Sequence, residues 1–449
     1  MAYRCSVKIS LIFVLALISG VLQAQVFDLD SAVAHALRHN PNLNAVQSQV
    51  SASDARTQAS KAGHLPTLTL SHTARLSDNP LDAFADKLHT RQVTSPDFDP
   101  ALLNDPGSSD LYFTQLALRW SLYAGGRTSA MVEDAEQTEK NSRLQYQRER
   151  EQIAFATISA YLFVQATEQG LAIAEDAVAA ARQHARTTAQ LAREGRIVES
   201  DKLAAEVNLA AIRSQLEQVT TRHRSALNEL KLVTGLPLDT DLELAVAKVA
   251  AIADDVAIEE YEKRALDNRK DLAAARALVQ AAQARVDAAR SVRKPNLDLV
   301  VSSNWYDDQP GFDSHSSSIM GVLSFDLYDG KSSGEIDITL AQQREMQWQL
   351  QALQQSVQKQ VRDAYNSLRE SRERLAIAEN NVATAQQTVK LVKQRYGQGR
   401  TILLDLLQAE RLYTDARIEK LTARLNLDVA QASLPLAAGT LALPDVVSP

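Results

Sequence analysis

The chain repeats itself, and that constrains its fold more than any single motif. A shift of 229 residues aligns Ala36-Leu37 with Ala265-Leu266, Leu43 with Leu272, Val50 with Val279 and Ala55-Arg56 with Ala284-Arg285. A shift of 205 lays Trp120 to Gly125 on Phe325 to Gly330. A shift of 204 pairs Leu171 to Glu175 with Leu375 to Glu379, Gly195-Arg196 with Gly399-Arg400, Asp201 with Asp405, Ala205-Glu206 with Ala409-Glu410 and Gly235 with Gly439. Self-similarity at this scale means two copies of one supersecondary unit. The boundaries follow: residues 1–24 precede the repeats, 25–245 form the first, 246–440 the second, and 441–449 a tail. The first copy carries extra residues between Leu76 and Leu111.

Each copy has the same internal order. A helical stretch comes first, over 29–63 and 258–293. Two strand-like runs follow, then a very long helix over 127–194 and 331–396. A glycine-containing break leads to a last helix over 199–234 and 402–434. Proline permits such helices by its absence: none falls between Pro106 and Pro237, Pro237 and Pro295, or Pro310 and Pro435. A proline inside a helix costs about 3 kcal/mol. Met346, Leu350, Leu353, Val357, Val361, Tyr365 and Leu368 recur at three-four spacing, a coiled-coil seam continued by Val382, Ala385, Val389, Val392 and Tyr396. Sixty-odd residues at about 1.5 Å each rise roughly 100 Å, three times a bilayer's hydrocarbon thickness. The helix is too polar to lie in lipid, so it projects away from a membrane.

The four strand runs alternate with period two. Leu68, Leu70, His72, Ala74 and Leu76 oppose Thr67, Thr69, Ser71, Thr73 and Arg75 in the first. Leu116, Leu118, Trp120 and Leu122 oppose Gln115, Arg119 and Ser121 within Tyr112 to Tyr123. Leu297, Leu299, Val301 and Trp305 oppose Asp298, Ser302 and Asn304 within Asn296 to Tyr306; Ile319, Leu323, Phe325 and Leu327 oppose Ser318, Ser324 and Asp326 within Ser318 to Tyr328. Runs of about ten such residues match transmembrane barrel strands, apolar to lipid and polar to the lumen. The same alternation suits a half-buried sheet. Aromatics near the strand ends and an export signal favour the barrel. Four strands cannot close one, and lipid tolerates no open edge. Three chains would give twelve strands and two would give eight; the sequence does not choose.

The export signal is Arg4 and Lys8 followed by the apolar run Ile9 to Leu22, with Ala24 as a cleavage residue before Gln25. Its removal takes two positive charges from a net −7, leaving about −9. The one cysteine, Cys5, lies inside it, so the mature chain is expected to lack disulfides, thiolate ligands and a lipidated cysteine. No basic stripe suggests nucleic acid. The eight histidines have no metal-ligand spacing. Asp254-Asp255 and Asp307-Asp308 read as solvated turns, and Gly125-Gly126-Arg127 lacks the ending of a phosphate loop. No catalytic constellation, cofactor or metal is expected.

The chain resembles the TolC-like outer-membrane factor family across about residues 26–440. The resemblance rests on the repeat, on strands framed by LPTLTLS and KPNLDLV, on the turns WSLYAGGR and FDLYDGK, and on REGRIVESD and RYGQGRTILLD at the helix breaks. It implies an α+β membrane protein: a homotrimer whose twelve-strand outer-membrane barrel continues into a long α-helical coiled-coil barrel in the periplasm. It implies a channel, the exit duct of a tripartite efflux pump or type I secretion system. The partners would be a periplasmic adaptor and a proton-driven (RND) or ATP-driven (ABC) inner-membrane transporter. A soluble periplasmic coiled-coil adaptor or scaffold is the rival reading, although adaptors have one helical hairpin and this chain has two.

The resemblance also assigns the breaks. Gly195, Arg196, Gly399 and Arg400 match the tip turns that meet the adaptor. Ser200 and Asp201 match positions that bond across helices to an aromatic, here Tyr396. Asp405 matches an acidic ring at the constriction, with Arg400 beside it. This chain has Gln408 where the best-known member has a second acid, and Thr401 where that member has its tip arginine. The plainer role is local: the glycines free the backbone at a turn, and Asp201 and Asp405 favour a helix N-terminus. Segment 77–110, with four prolines and several aspartates, is expected to be a long extracellular loop, matched by the shorter 307–317.

Overall fold

The structure, a computed structural model, describes residues 27–247, 249–252 and 256–444. The export signal with Cys5, the Asp254-Asp255 pair and the last five residues lie outside that range. In the first repeat, α1 (Leu29–His39) and α2 (Pro41–Ala62) lead to β1 (Thr67–Ser77). The extra segment holds α3 (Pro80–His89), a 3-10 turn (Ser95–Phe98) and α4 (Pro100–Asn104). Then come β2 (Ser109–Ala124), the long α5 (Arg127–Arg193) and α6 (Glu199–Thr234). The second repeat runs α7 (Ile258–Asn268), α8 (Lys270–Arg290), β3 (Asn296–Asp307), β4 (Ser314–Ser324), the long α9 (Ser332–Gly397) and α10 (Leu403–Ala438).

The two opening helical stretches are each broken in the middle. In the first, Asn40 is extended (ψ 122°) because the residue before Pro41 is sterically driven from the helical region. In the second no proline is present, yet Arg269 takes the same conformation (ψ 126°). Its guanidinium explains the break. It donates to the Ala437 carbonyl near the end of α10 (3.3 Å) and to Gln360 of α9 (2.8 Å), and it pairs with Asp271 (2.5 Å). Burial pushes the Asp271 carboxyl up, but Arg269 and Arg148 outweigh it and hold the carboxyl below its usual range.

The four strands form one antiparallel sheet in the order β1-β2-β3-β4. β4 stops at Ser324, short of the expected Tyr328, because Ser324 already pairs with Asn296, the first residue of β3. Beyond it Leu327 and Tyr328 stand 90% exposed. The apolar face of the sheet is bare: Leu70, Ile319 and Leu323 are 70–78% exposed. A soluble monomer seldom leaves so large an apolar patch.

Below the sheet the helices carry the core. α5 packs against α6, α8 and α2, while α9 packs against α10 and α8; α5 also meets α10 and so joins the halves. The larger cluster holds Leu272, Val357, Val361, Leu368, Leu427 and Leu434. Each such side chain contributes about 1.5–3 kcal/mol by leaving water. Tyr161 of α5 is fully buried, and its hydroxyl lies within donating distance of the Phe27 and Ala245 carbonyls (2.6 and 2.7 Å). It thereby pins the Phe27–Leu244 bridge against the helices. Burial, aided by the charge of Asp28, pushes the Tyr161 phenol up to about 12. Among the described residues no helix is long and apolar enough to cross a membrane.

Candidate functional site

The site lies at the far ends of the long helices. α5 ends in a turn where Gly195 has φ +67°, and α9 ends where Gly399 has φ +70°. The amide after each glycine reaches back five residues: Arg196 to the Leu191 carbonyl and Arg400 to the Arg395 carbonyl, both 2.9 Å. This is the left-handed helix stop, for which glycine carries no Cβ penalty. A Cβ at either glycine would meet nothing within 4 Å, so conformation alone selects the residue.

Two return helices start from these turns. Asp201 is the third residue of α6 and its amide donates to the Val198 carbonyl (3.1 Å). The α6 N-cap is Val198 and the α10 N-cap is Ile402; neither makes a side-chain cap bond. The acids of the first turns, Asp201 and Asp405, supply favourable charge there instead. Asp405 is exposed and accepts a bond from the Thr401 hydroxyl. Thr401 thus ties down the acid four residues on, within the first turn of α10.

Tyr396 feels the charge of Asp201, although nearly two hundred residues separate them and no hydrogen bond joins the two within the chain. Burial, then the negative charge of Asp201, raises the Tyr396 phenol above its ordinary value. Ser200 and Arg400 are exposed, and among the described residues neither makes a side-chain bond within the chain; Arg196 makes a loose pair with Glu194 (3.5 Å).

The structure adds two links that the motifs did not indicate. His184 of α5, 8% exposed, meets Glu410 of α10 at 2.7 Å, and Arg417 of α10 meets Asp176 of α5 at 2.9 Å. Both couple the halves a few turns from the breaks. Glu410 stands in the repeat alignment opposite Glu206, but His184 aligns with Thr388. The repeat could therefore not have found the pair. The described residues include no group of three His, Cys, Asp or Glu side chains placed to hold a metal ion.

The same architecture recurs in solved structures. The chain is 18% identical to CusC, with 92% of each chain covered and a TM-score of 0.79. It is 16% identical to the CmeC outer membrane channel of Campylobacter jejuni, covering 93% of this chain and 87% of that one at a TM-score of 0.78. It is 17% identical to the outer membrane protein VceC of Vibrio cholerae, covering 92% and 96% at 0.76. No curated protein sequence matches this chain. The sequence profile of the outer membrane efflux proteins matches residues 32–236 and 262–440, one segment in each repeat. On a match spanning most of its length and both of its repeats, the chain belongs to the outer membrane efflux protein family.

Proposed function

We propose that this protein is the outer-membrane exit duct of a tripartite efflux pump or type I secretion system, working as a homotrimer. One observation carries the reading: the sheet is open, with β1 and β4 as free edges and an apolar face left bare. Free edges are not tolerated in lipid, and closing them needs further copies of the chain. Strands of 11–16 residues, tilted by about 45°, suit an apolar band roughly 25 Å tall. The polar helices below it then cross the periplasm as a coiled-coil barrel. A soluble adaptor would have no use for the bare apolar face.

Export by a cleaved, non-lipidated signal at residues 1–24 delivers the chain. At the inner end Ser200, Asp201, Tyr396, Arg400 and Asp405 form the constriction, and the tip turns around Gly195, Arg196, Gly399 and Arg400 receive the adaptor. Apolar side chains exposed beside both turns support docking there: Val198, Leu203, Ile402 and Leu404 are each more than half exposed. The inner-membrane transporter is of the RND or ABC type. Light scattering in detergent and conductance in a planar bilayer test the reading together. A trimer that conducts is expected; a monodisperse monomer without conductance would overturn it.

A further inference from the structure

The extra segment of the first repeat is folded, and it lies on one particular face of the sheet. Strand register defines the faces. Arg75 pairs with Leu111, Phe113 with Tyr306 and Tyr306 with Ser314, so these residues share a face with Thr69, Ser71, Gln115, Asn304 and Ser302. The other face carries Leu68, Leu70, Leu116, Leu118, Val301 and Ile319. The first face is the polar one.

Helix α3, with the residues that follow it, crosses that polar face at the end of the sheet remote from the long helices, and together they touch all four strands. Asp86, 3% exposed, accepts from Arg75 of β1 and from Ser109 of β2 (2.9 Å). His89 stacks on Tyr306 of β3 with centroids 4.5 Å apart and planes 7° from parallel, and Tyr306 stacks on Phe113 of β2. Ser314 of β4 donates to the Thr90 carbonyl (2.9 Å). Beside it Arg91 donates to the His315 carbonyl (2.9 Å), and Gln92 to Asp308 (3.2 Å). Leu111, beneath the helix, is 5% exposed. The segment has its own internal tie: Lys87 holds Asp97, which also accepts from the Thr94 amide (2.6 Å) and hydroxyl (2.7 Å). The segment expected to be a long extracellular loop is thus helical in part and packed on the sheet as a small lid.

We propose that α3 and its flanking segment form a size-limiting constriction inside the outer mouth of the channel. This rests on the trimeric barrel reading, in which the polar face becomes the lumen wall. Twelve strands about 4.8 Å apart and tilted by about 40° enclose a lumen of roughly 12 Å backbone radius. A helix with its side chains is about 10–12 Å across. Three copies of α3 against that wall therefore fill most of the mouth. Leu81 and Leu88, two turns apart on the side of α3 away from the sheet, are 75% and 53% exposed. In the trimer they face the axis and the matching leucines of the other two copies. The second repeat joins β3 to β4 without such a segment, so the constriction has three-fold rather than six-fold symmetry.

Thiol labelling on intact cells tests this, because Cys5 is the only native cysteine. Leu88→Cys lies at the proposed constriction. Phe312→Cys lies in the β3–β4 turn, 66% exposed, and serves as the reference. A small maleimide is expected to label both. A maleimide on a polyethylene glycol of about 5 kDa is expected to label Phe312→Cys readily and Leu88→Cys at least tenfold more slowly. Adding Arg75→Ala and Asp86→Ala, which frees α3 from the wall, should abolish most of that difference. Equal rates of bulky labelling at the two positions would overturn the proposal while leaving the channel reading intact. Failure of even the small reagent to reach Phe312→Cys from outside would defeat the barrel orientation, and the proposal with it.

Discussion

Asn40 and Arg269 occupy the same place in the two repeats, and each donates to the last-but-one carbonyl of its repeat's closing helix. The Asn40 amide bonds the Val233 carbonyl of α6 at 2.7 Å; the Arg269 guanidinium bonds the Ala437 carbonyl of α10 at 3.3 Å. Asn40 also caps α2, accepting from the Asn42 and Leu43 amides (2.8 and 3.3 Å). In the second repeat that work passes to Asp271, which accepts from the Leu272 amide (2.9 Å) and is held by Arg269. A single neutral residue in one copy corresponds to an ion pair in the other.

The two sites should differ in sensitivity. Asn40→Ala removes a cap and one tertiary bond, for an expected loss of about 1–2 kcal/mol. Arg269→Ala strands a largely buried Asp271 and should cost more, about 2–4 kcal/mol. Thermal unfolding midpoints in detergent give the order, and a milder effect at Arg269 would refute it.

The left-handed glycines should also separate into two classes. At Gly195 and Gly399 only the backbone conformation opposes a side chain, so alanine should cost about 1–2 kcal/mol. At Gly235 (φ +76°) a Cβ would stand 2.6 Å from the His39 carbonyl oxygen, and at Gly439 (φ +68°) 3.0 Å from Arg269. Alanine there adds overpacking of about 1–3 kcal/mol. Comparable losses at Gly195 and Gly235, read by the same melts, would show that the close contact is relieved at no cost.

The proposed constriction should respond to Tyr396 and Asp405 differently. Asp201→Ala with Tyr396→Phe removes one interaction from each chain, worth about 0.5–1.5 kcal/mol. Three chains bring the total to about 1.5–4.5 kcal/mol, enough to move a two-state equilibrium more than tenfold. Single-channel conductance should rise. Asp405→Ala should leave conductance closer to the parent and lower cation preference, since in the proposed constriction it removes one negative charge from each chain. Unchanged conductance and selectivity in both variants would reduce these residues to helix-end stabilisers.

The lid should loosen in acid. The Lys87 ammonium, with the Thr94 amide and hydroxyl, lowers the Asp97 carboxyl to about 2. A carboxylate depressed by folding contributes stability above its unfolded value, near 3.9, and loses it as pH falls through its folded value. Proteolysis within 77–110 should therefore accelerate between about pH 4 and pH 2, using an acid-active protease. Asp97→Asn should be cut readily across that range and show little pH dependence; a parent protein whose cleavage ignores pH would contradict the assignment.

Much of the architecture is legible in the sequence because it is written in period and punctuation. Alternation over ten residues specifies a strand with one apolar face. A three-four seam without proline specifies a long helix. Gly195 and Gly399 announce their turns because L-residues resist positive φ there. The break at Asn40 follows from Pro41. Tertiary structure alone decides the rest. Arg269 breaks a helix with no local signal, because the end of α10 and Asp271 hold its guanidinium. His184 meets Glu410, and Tyr396 senses Asp201, only once α5, α6, α9 and α10 lie side by side. The extra segment reads as a proline-rich loop, and nothing in its composition says which face of the sheet it covers. Asp86 under Arg75 ties the segment to its own neighbouring strand, but the side is set by His89 stacked on Tyr306, a contact between residues 217 apart in the chain. Local sequence determines backbone period; which surfaces meet depends on long-range packing that no local pattern records.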